Sequence, residues 1–228
     1  ESDKLHKTLL NSISHELRIP VSTIMGASET LLSASYPDEM KVKLHQEIYQ
    51  ASIRLNRLIE NLLNMSRLES GRISPSPDWC DVHDLANAIG DSLGKELETF
   101  VYAVVIPDEM PLVTLDIGLT EQAIYNLVLN ATQYAPAGTT IRLKFFYDIH
   151  HLFIQVMDRG PGFPVDELPS LFNKFYRGTA ASAGGTGLGL SIVKGFVEAQ
   201  NGTVSADNRK NGGAIFTVKI PVKQTPQK

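Results

Sequence analysis

The sequence predicts an all-α helical hairpin followed by an α+β two-layer sandwich, and three observations carry that expectation. Residues 2 to 69 repeat apolar side chains at three- and four-residue steps, broken once at Ser35-Tyr36-Pro37-Asp38. Gly71 and Ser74-Pro75-Ser76-Pro77 then end the helical periodicity. Beyond them, short antiparallel strands and amphipathic helices are intermingled, the pattern of a sheet with helices packed on it.

On a wheel of about 100° per residue, Leu5, Leu9, Ile13, Leu17, Ile24, Ala27 and Leu31 cluster on one arc of a first helix over residues 2–34. A second helix, 38–69, carries Leu44, Ile48, Ala51, Leu55, Leu58, Leu62 and Met65 in alternating four- and three-residue steps. Ile59 and Leu63 widen that stripe beyond a two-helix seam. One hairpin cannot cover such a face, so a homodimer closing a four-helix bundle is expected. Residues 71–78 read as a linker between a domain over 1–70 and another over 79–228. The second domain runs as a helix (81–97), strands (100–106, 112–115), a helix (118–134) and strands 139–147 and 151–157 turning at Asp148-Ile149-His150. A Gly- and Ala-rich loop (178–187), a helix to 200 and strands 203–207 and 214–220 complete it.

The chain has 228 residues, 43% of them hydrophobic, which suffices for two packed cores. A net charge of -4 supplies no basic footprint, so nucleic acid is not an expected partner. Cys80 stands alone, which excludes an internal disulfide and leaves a small buried thiol as the simplest reading. No apolar run approaches the roughly 20 residues of a membrane span, and no signal peptide opens the sequence. The helix beginning almost at Glu1 reads as a cut through a longer protein. Any membrane contact is therefore expected through a sensor region outside this sequence.

In the first helix His15 falls about 280° round from Leu5, away from the apolar arc. Its neighbour Glu16 could accept a hydrogen bond from Nδ1 and raise the nucleophilicity of Nε2. Pro20 removes a helical hydrogen bond and crowds the carbonyl of Glu16, placing a bend one turn away. The helix by itself equally allows an ordinary exposed histidine beside an incidental kink. Ser12, Ile19 and Ser22 share the outward side, and an exposed isoleucine there suits a partner-binding patch.

Asn126, Asn130 and Tyr134 stand four residues apart on a helical segment and so form one strip. An amide oxygen is a hard ligand suited to Mg²⁺, and Tyr134 could lie along a base or ribose. Two exposed asparagines are the plain alternative. Asp158 ends an apolar strand, followed by Gly160 and Gly162; a carboxylate there could accept a hydrogen bond from the adenine amine, although Asp-x-Gly-x-Gly also occurs in ordinary turns. Gly184-Gly185-Thr186-Gly187-Leu188-Gly189 precedes an apolar helix, whose N-terminal amides can hold phosphate. No strand leads into it and no Gly-Lys-Ser/Thr follows, which separates it from the dinucleotide and Walker loops. A lid closing over nucleotide fits it better.

Ser14-His15-Glu16-Leu17-Arg18-Ile19-Pro20 resembles the H-box of bacterial two-component sensor histidine kinases. The strip at Asn126 to Tyr134, Asp158 to Gly162, Phe172-Asn173-Lys174-Phe175-Tyr176-Arg177 and Gly185 to Gly189 resemble that family's N, G1, F and G2 boxes. Their order fits the ATP-binding fold shared by histidine kinases, gyrase, Hsp90 chaperones and MutL. Phe172 to Ala199 and Trp79 to Leu85 look most like the Kdp-type kinases.

The resemblance implies that His15 is autophosphorylated from ATP with Glu16 as general base, and that the phosphoryl group passes to an aspartate of a response-regulator receiver domain. It makes Asn130 the Mg²⁺ ligand and Asp158 the adenine partner. Asn126, Tyr134, Gly160, Gly162, Tyr176, Gly185, Thr186, Gly187, Leu188 and Gly189 join the ATP site, with Lys174 and Arg177 as cations at its phosphate end. It also implies a cytoplasmic fragment of a protein anchored in a bacterial inner membrane. Two departures stand out. Ile19 replaces the threonine or asparagine associated with regulator dephosphorylation, and Gln133 stands where a lysine is frequent. Rival readings are an ATP-gated clamp or ATPase of the same fold, and a non-catalytic dimeric scaffold.

Overall fold

The computed structural model describes residues 2–33, 36–178 and 186–225, with side chains from residue 13 onward. Helices α1 (Ser2–Ser33) and α2 (Asp38–Glu69) form the hairpin. Along them Ala27 and Ala51 are buried, and Met65 is buried against the core of the second domain, whereas Met25, Leu32, Val42 and Leu63 are each more than half exposed. One hairpin therefore leaves apolar surface uncovered, as its widened stripe requires. Among the described residues, no helix is long and apolar enough to cross a membrane.

Strand β1 (Asp78–Cys80) follows, then α3 (Val82–Ser92), α4 (Gly94–Leu97), β2 (Val101–Val105), β3 (Val113–Leu115), α5 (Ile117–Tyr134), β4 (Thr140–Tyr147) and β5 (His151–Met157). Helix α6 (Gly189–Ala199) and strands β6 (Thr203–Asn208) and β7 (Ala214–Pro221) complete the fold. Strands β1 and β3 form a separate two-stranded ribbon, and the main sheet has the order β2-β4-β5-β7-β6. The alternation of β4 puts Ile141, Leu143 and Phe145 under the helices and Arg142 and Lys144 in solvent. Phe145, Phe196 and Phe216 are fully buried where helices meet sheet. At about 25 cal/mol per Å² of apolar surface, such rings dominate the attraction between the layers.

The structure departs from the sequence expectation in three places. The antiparallel sheet is mixed, because β2 runs parallel to β4; the chain between them crosses over through β3 and α5, as a parallel pair demands. The single helix over 81–97 is interrupted at Leu93, whose side chain is buried, and Gly94 begins α4. Residues 78–80, within and beside the expected linker, form β1 against β3, with Asp78 opposite Leu115. Trp79 is 49% exposed on that strand.

Asp116 ties the linker to the helical layer. Its Oδ1 caps α5 by accepting the Leu119 N–H at 2.9 Å, and its Oδ2 accepts the Ser76 N–H at 2.8 Å. Its own N–H donates to Gln200 Oε1 at 2.9 Å, just beyond α6. Asp116→Ala is expected to cost about 1–2 kcal/mol, read as a lower denaturation midpoint with an unchanged slope. The buried Cys80 thiol is pushed up to about 11 by burial and by the carboxylates of Asp81 and Asp84, so it is inert at neutral pH.

Candidate active site

Helix α5 buries Ile124, Leu127, Val128 and Ala131 against the sheet, which leaves Asn126, Asn130 and Tyr134 on a half-buried strip beside them. Among the described residues, the amides of Asn126 and Asn130 make no side-chain hydrogen bond. Half-buried and uncommitted, the Asn130 amide is a donor group suited to a hard cation.

Asp158 ends β5 and is 4% exposed. Its Oδ1 accepts the N–H of Gly160 at 2.7 Å and of Ala214 at 3.1 Å. These bonds fix the carboxylate plane, and Oδ2 has no protein partner among the described residues. A small cavity lined by Asp158, Asn130, Tyr134, Gly162, Phe163 and Ala214 opens there. The arrangement fits a purine whose exocyclic amine needs an acceptor.

The loop after Asp158 is held by residues that the motifs did not reveal. Asn208 accepts the Phe163 N–H through Oδ1 at 2.8 Å and donates Nδ2–H to the Phe163 carbonyl at 2.7 Å. Gly162, at φ +73, is required there, since a Cβ would lie 2.5 Å from Asn208 Oδ1. Arg209 donates to the Asp158 carbonyl. The run from Asn208 to Gly213 reads in sequence as an ordinary hairpin turn, and only the β6–β7 pairing brings it under Asp158.

Of the glycine loop, Thr186, Gly187, Leu188 and Gly189 are described, and Gly185 lies outside the described residues. Gly187 has φ +67, and a Cβ on it would come within 2.7 Å of the Phe175 and Tyr176 backbone. Its carbonyl accepts the Phe175 N–H at 3.0 Å, joining this loop to the segment 172–177. Leu188 is fully buried, so its side chain belongs to the core and only its backbone is available to a ligand. Gly160 is also buried, against the Tyr134 carbonyl.

A larger cleft, about 580 Å³, joins this region to the hairpin. Glu16, Ile19 and Pro20 line it from α1, with Asn126, Asn130 and Tyr134 opposite and Tyr176, Arg177, Thr186, Gly187 and Gly189 to one side. Its size falls in the range of nucleotide-sized pockets. His15 is exposed as the wheel predicted and is the sequence neighbour of Glu16, which lines this cleft. Two sequence expectations are modified. The Glu16 carboxylate lies 3.9 Å from Arg177 Nη1, and among the described residues no hydrogen bond joins it to the His15 ring. Lys174 is turned away from the cleft and pairs with Glu69 of α2 at 2.8 Å. Arg177 and the exposed Gln133 do line it. No cluster of three or more metal-ligating His, Cys, Asp or Glu occurs among the described residues.

Comparison with known proteins covers both halves of this arrangement. Residues 5–71 match the His Kinase A (phospho-acceptor) domain, and residues 116–224 match the histidine kinase-, DNA gyrase B- and HSP90-like ATPases. The sensor protein KdpD of Clostridium acetobutylicum is 35% identical over 226 residues, 97% of this chain and 25% of that protein. KdpD of Escherichia coli K12 is 32% identical over 229 residues, 100% of this chain and 26% of that protein. The chain thus spans about a quarter of the length of these curated relatives. In fold it resembles the Acinetobacter baumannii histidine kinase AdeS, with a TM-score of 0.71 at 24% identity over 91% of this chain and 97% of that one. It also resembles full-length ShkA, solved in complex with AMPPNP, with a TM-score of 0.70 at 23% identity over 96% of this chain and 46% of that one.

Proposed function

The chain belongs to the sensor histidine kinases, and from that premise we propose that it autophosphorylates His15 from ATP and passes the phosphoryl group to an aspartate of a response-regulator receiver domain. The observation that carries the reading is the cleft lined at once by Glu16, next to an exposed His15, and by Asn130 on the nucleotide side. Residues 1–70 would form the dimerisation and phosphotransfer domain, 71–78 the linker and 79–228 the catalytic domain.

In the proposed reaction Asp158 Oδ2 accepts from adenine, and the backbone around Thr186, Gly187 and Gly189 holds phosphate oxygens at the start of α6. Asn130 would hold Mg²⁺, which when bound neutralises phosphate charge. The lone pair of His15 Nε2 forms a bond to the γ-phosphorus while the bond to the bridging oxygen breaks, its electrons leaving with ADP. For Glu16 to hold the Nδ1 proton, its carboxylate leaves Arg177. Positioning supplies most of the acceleration.

The exposed Met25, Leu32 and Leu63 support a homodimer whose hairpins close a four-helix bundle. Ile19, 46% exposed beside His15, supports a receiver docking there. Membrane anchoring through a sensor region outside these residues is part of the same reading, in keeping with relatives that are named sensor proteins and of which this chain spans about a quarter. If Ile19 removes the dephosphorylation step, Ile19→Thr is expected to shorten the lifetime of the phosphorylated regulator with autophosphorylation unchanged; an unchanged decay rate would sink that idea. The kinase reading is tested by incubation with γ-labelled ATP: covalent label that survives alkali and is lost in acid supports it. Steady ADP release with no covalent label points to the ATPase reading, and nucleotide binding with neither outcome points to the scaffold.

A further inference from the structure

Helix α2 presents Tyr49, Ile53 and Arg57 at four-residue steps, one continuous face. That face receives α4. Lys95 Nζ sits over the Tyr49 ring, 4.8 Å from its centroid. The Arg57 guanidinium ion-pairs with Glu96, the two side chains being 28% and 26% exposed. The Tyr125 hydroxyl lies beside the same guanidinium, and Tyr125 immediately precedes Asn126 on α5. Ile53, Arg57, Glu96 and Tyr125 all line the cleft that holds Glu16 and Asn130.

The height of this contact matters. His15 lies eighteen residues before the end of α1 and Arg57 nineteen after the start of α2. At about 1.5 Å per residue the two therefore stand at nearly the same level on the antiparallel hairpin. Apart from the Lys95–Tyr49 contact and the longer Arg177–Glu16 pair, which the reaction itself must open, hairpin and nucleotide lobe meet farther down α2, where Leu62, Met65 and Leu68 pack on the core and Glu69 meets Lys174. A lobe attached only there could swing about that lower end. The pair at Arg57 opposes the swing at the level where phosphorus must meet nitrogen, and unlike the Arg177–Glu16 pair it can persist when Glu16 turns to His15.

We propose that Arg57 is a positioning residue for phosphoryl transfer: by gripping Glu96 and Tyr125 it fixes the nucleotide lobe beside His15. The proposal rests on the kinase reading above. It identifies a residue outside the H, N, G1, F and G2 segments, on the helix that does not carry the phosphate acceptor. Truncating one member of a partly buried ion pair leaves the other charge uncompensated, so the lobe shifts instead of retaining the pair's geometry. A displacement of about 1 Å at a reacting centre can cost on the order of 100-fold in rate.

The test measures initial rates of His15 labelling against ATP concentration for the full chain, alongside nucleotide affinity by equilibrium binding and thermal melting. Arg57→Ala and the isosteric Glu96→Gln are each expected to lower the maximal rate at least about tenfold, with the half-saturating ATP concentration and the nucleotide affinity unchanged. The charge swap Arg57→Glu with Glu96→Arg is expected to recover much of the lost rate. Glu96→Gln, on a four-residue surface helix, keeps the test valid should Arg57→Ala melt early. The proposal is overturned if the single variants keep or raise the maximal rate, if the loss appears in nucleotide affinity instead, or if the swap is no better than the single changes. Failure of the wild-type chain to label His15 would instead overturn the kinase reading on which the proposal rests.

Discussion

His15→Gln is expected to abolish covalent phosphate on the chain while leaving nucleotide affinity and melting temperature unchanged. The side chain is exposed and, among the described residues, makes no hydrogen bond, so its replacement removes no packing and no buried partner. Glutamine keeps a polar side chain on the outer face of α1 but offers no nitrogen lone pair able to attack phosphorus. The expected loss of label is complete, because no second group substitutes for a missing nucleophile. Retained phosphorylation in this variant, measured with γ-labelled ATP, would place the acceptor elsewhere. Lost nucleotide affinity would mean that His15 belongs to the nucleotide pocket itself.

Asn130→Ala is expected to reduce autophosphorylation by about 100-fold or more without lowering stability. The amide is half-buried and uncommitted, and alanine is the better helix former by about 0.5 kcal/mol, so melting should be unchanged or slightly higher. A functional residue shows itself by this combination: its removal costs activity and leaves the fold intact or improved. The loss should be accompanied by weakened dependence on Mg²⁺, since the group proposed to hold the ion is gone. Normal labelling in this variant would remove Asn130 from the site, and a collapse of folding would assign it a structural role instead.

The hairpin was legible because a long apolar period is nearly insensitive to tertiary context. The expected second helix, 38–69, coincides with Asp38–Glu69, and the outward placement of His15 followed from the same wheel. Strand β5 was equally clear, since 151–157 alternates against a buried face. What could not be read were features created by distant segments. The parallel pairing of β2 with β4 depends on a crossover, and β1 exists only because β3 is beside it. Asn208 holds Phe163 across 45 residues, and Arg57 meets Glu96 across 39, with no local pattern to announce either. Leu188 sits inside a glycine motif yet points into the core, because the helix it precedes must bury its first turn. Lys174 looked like a phosphate-end cation by position, but the docked α2 offers it Glu69.

The most direct measurement is ³¹P NMR of the chain after incubation with Mg·ATP, with the phosphorylated position mapped by mass spectrometry. A phosphoramidate resonance assigned to Nε2 of His15 is the predicted result. ATP turnover without a phosphoramidate, or phosphate found on any other residue, would contradict the delivery of the terminal phosphoryl group across the cleft to His15.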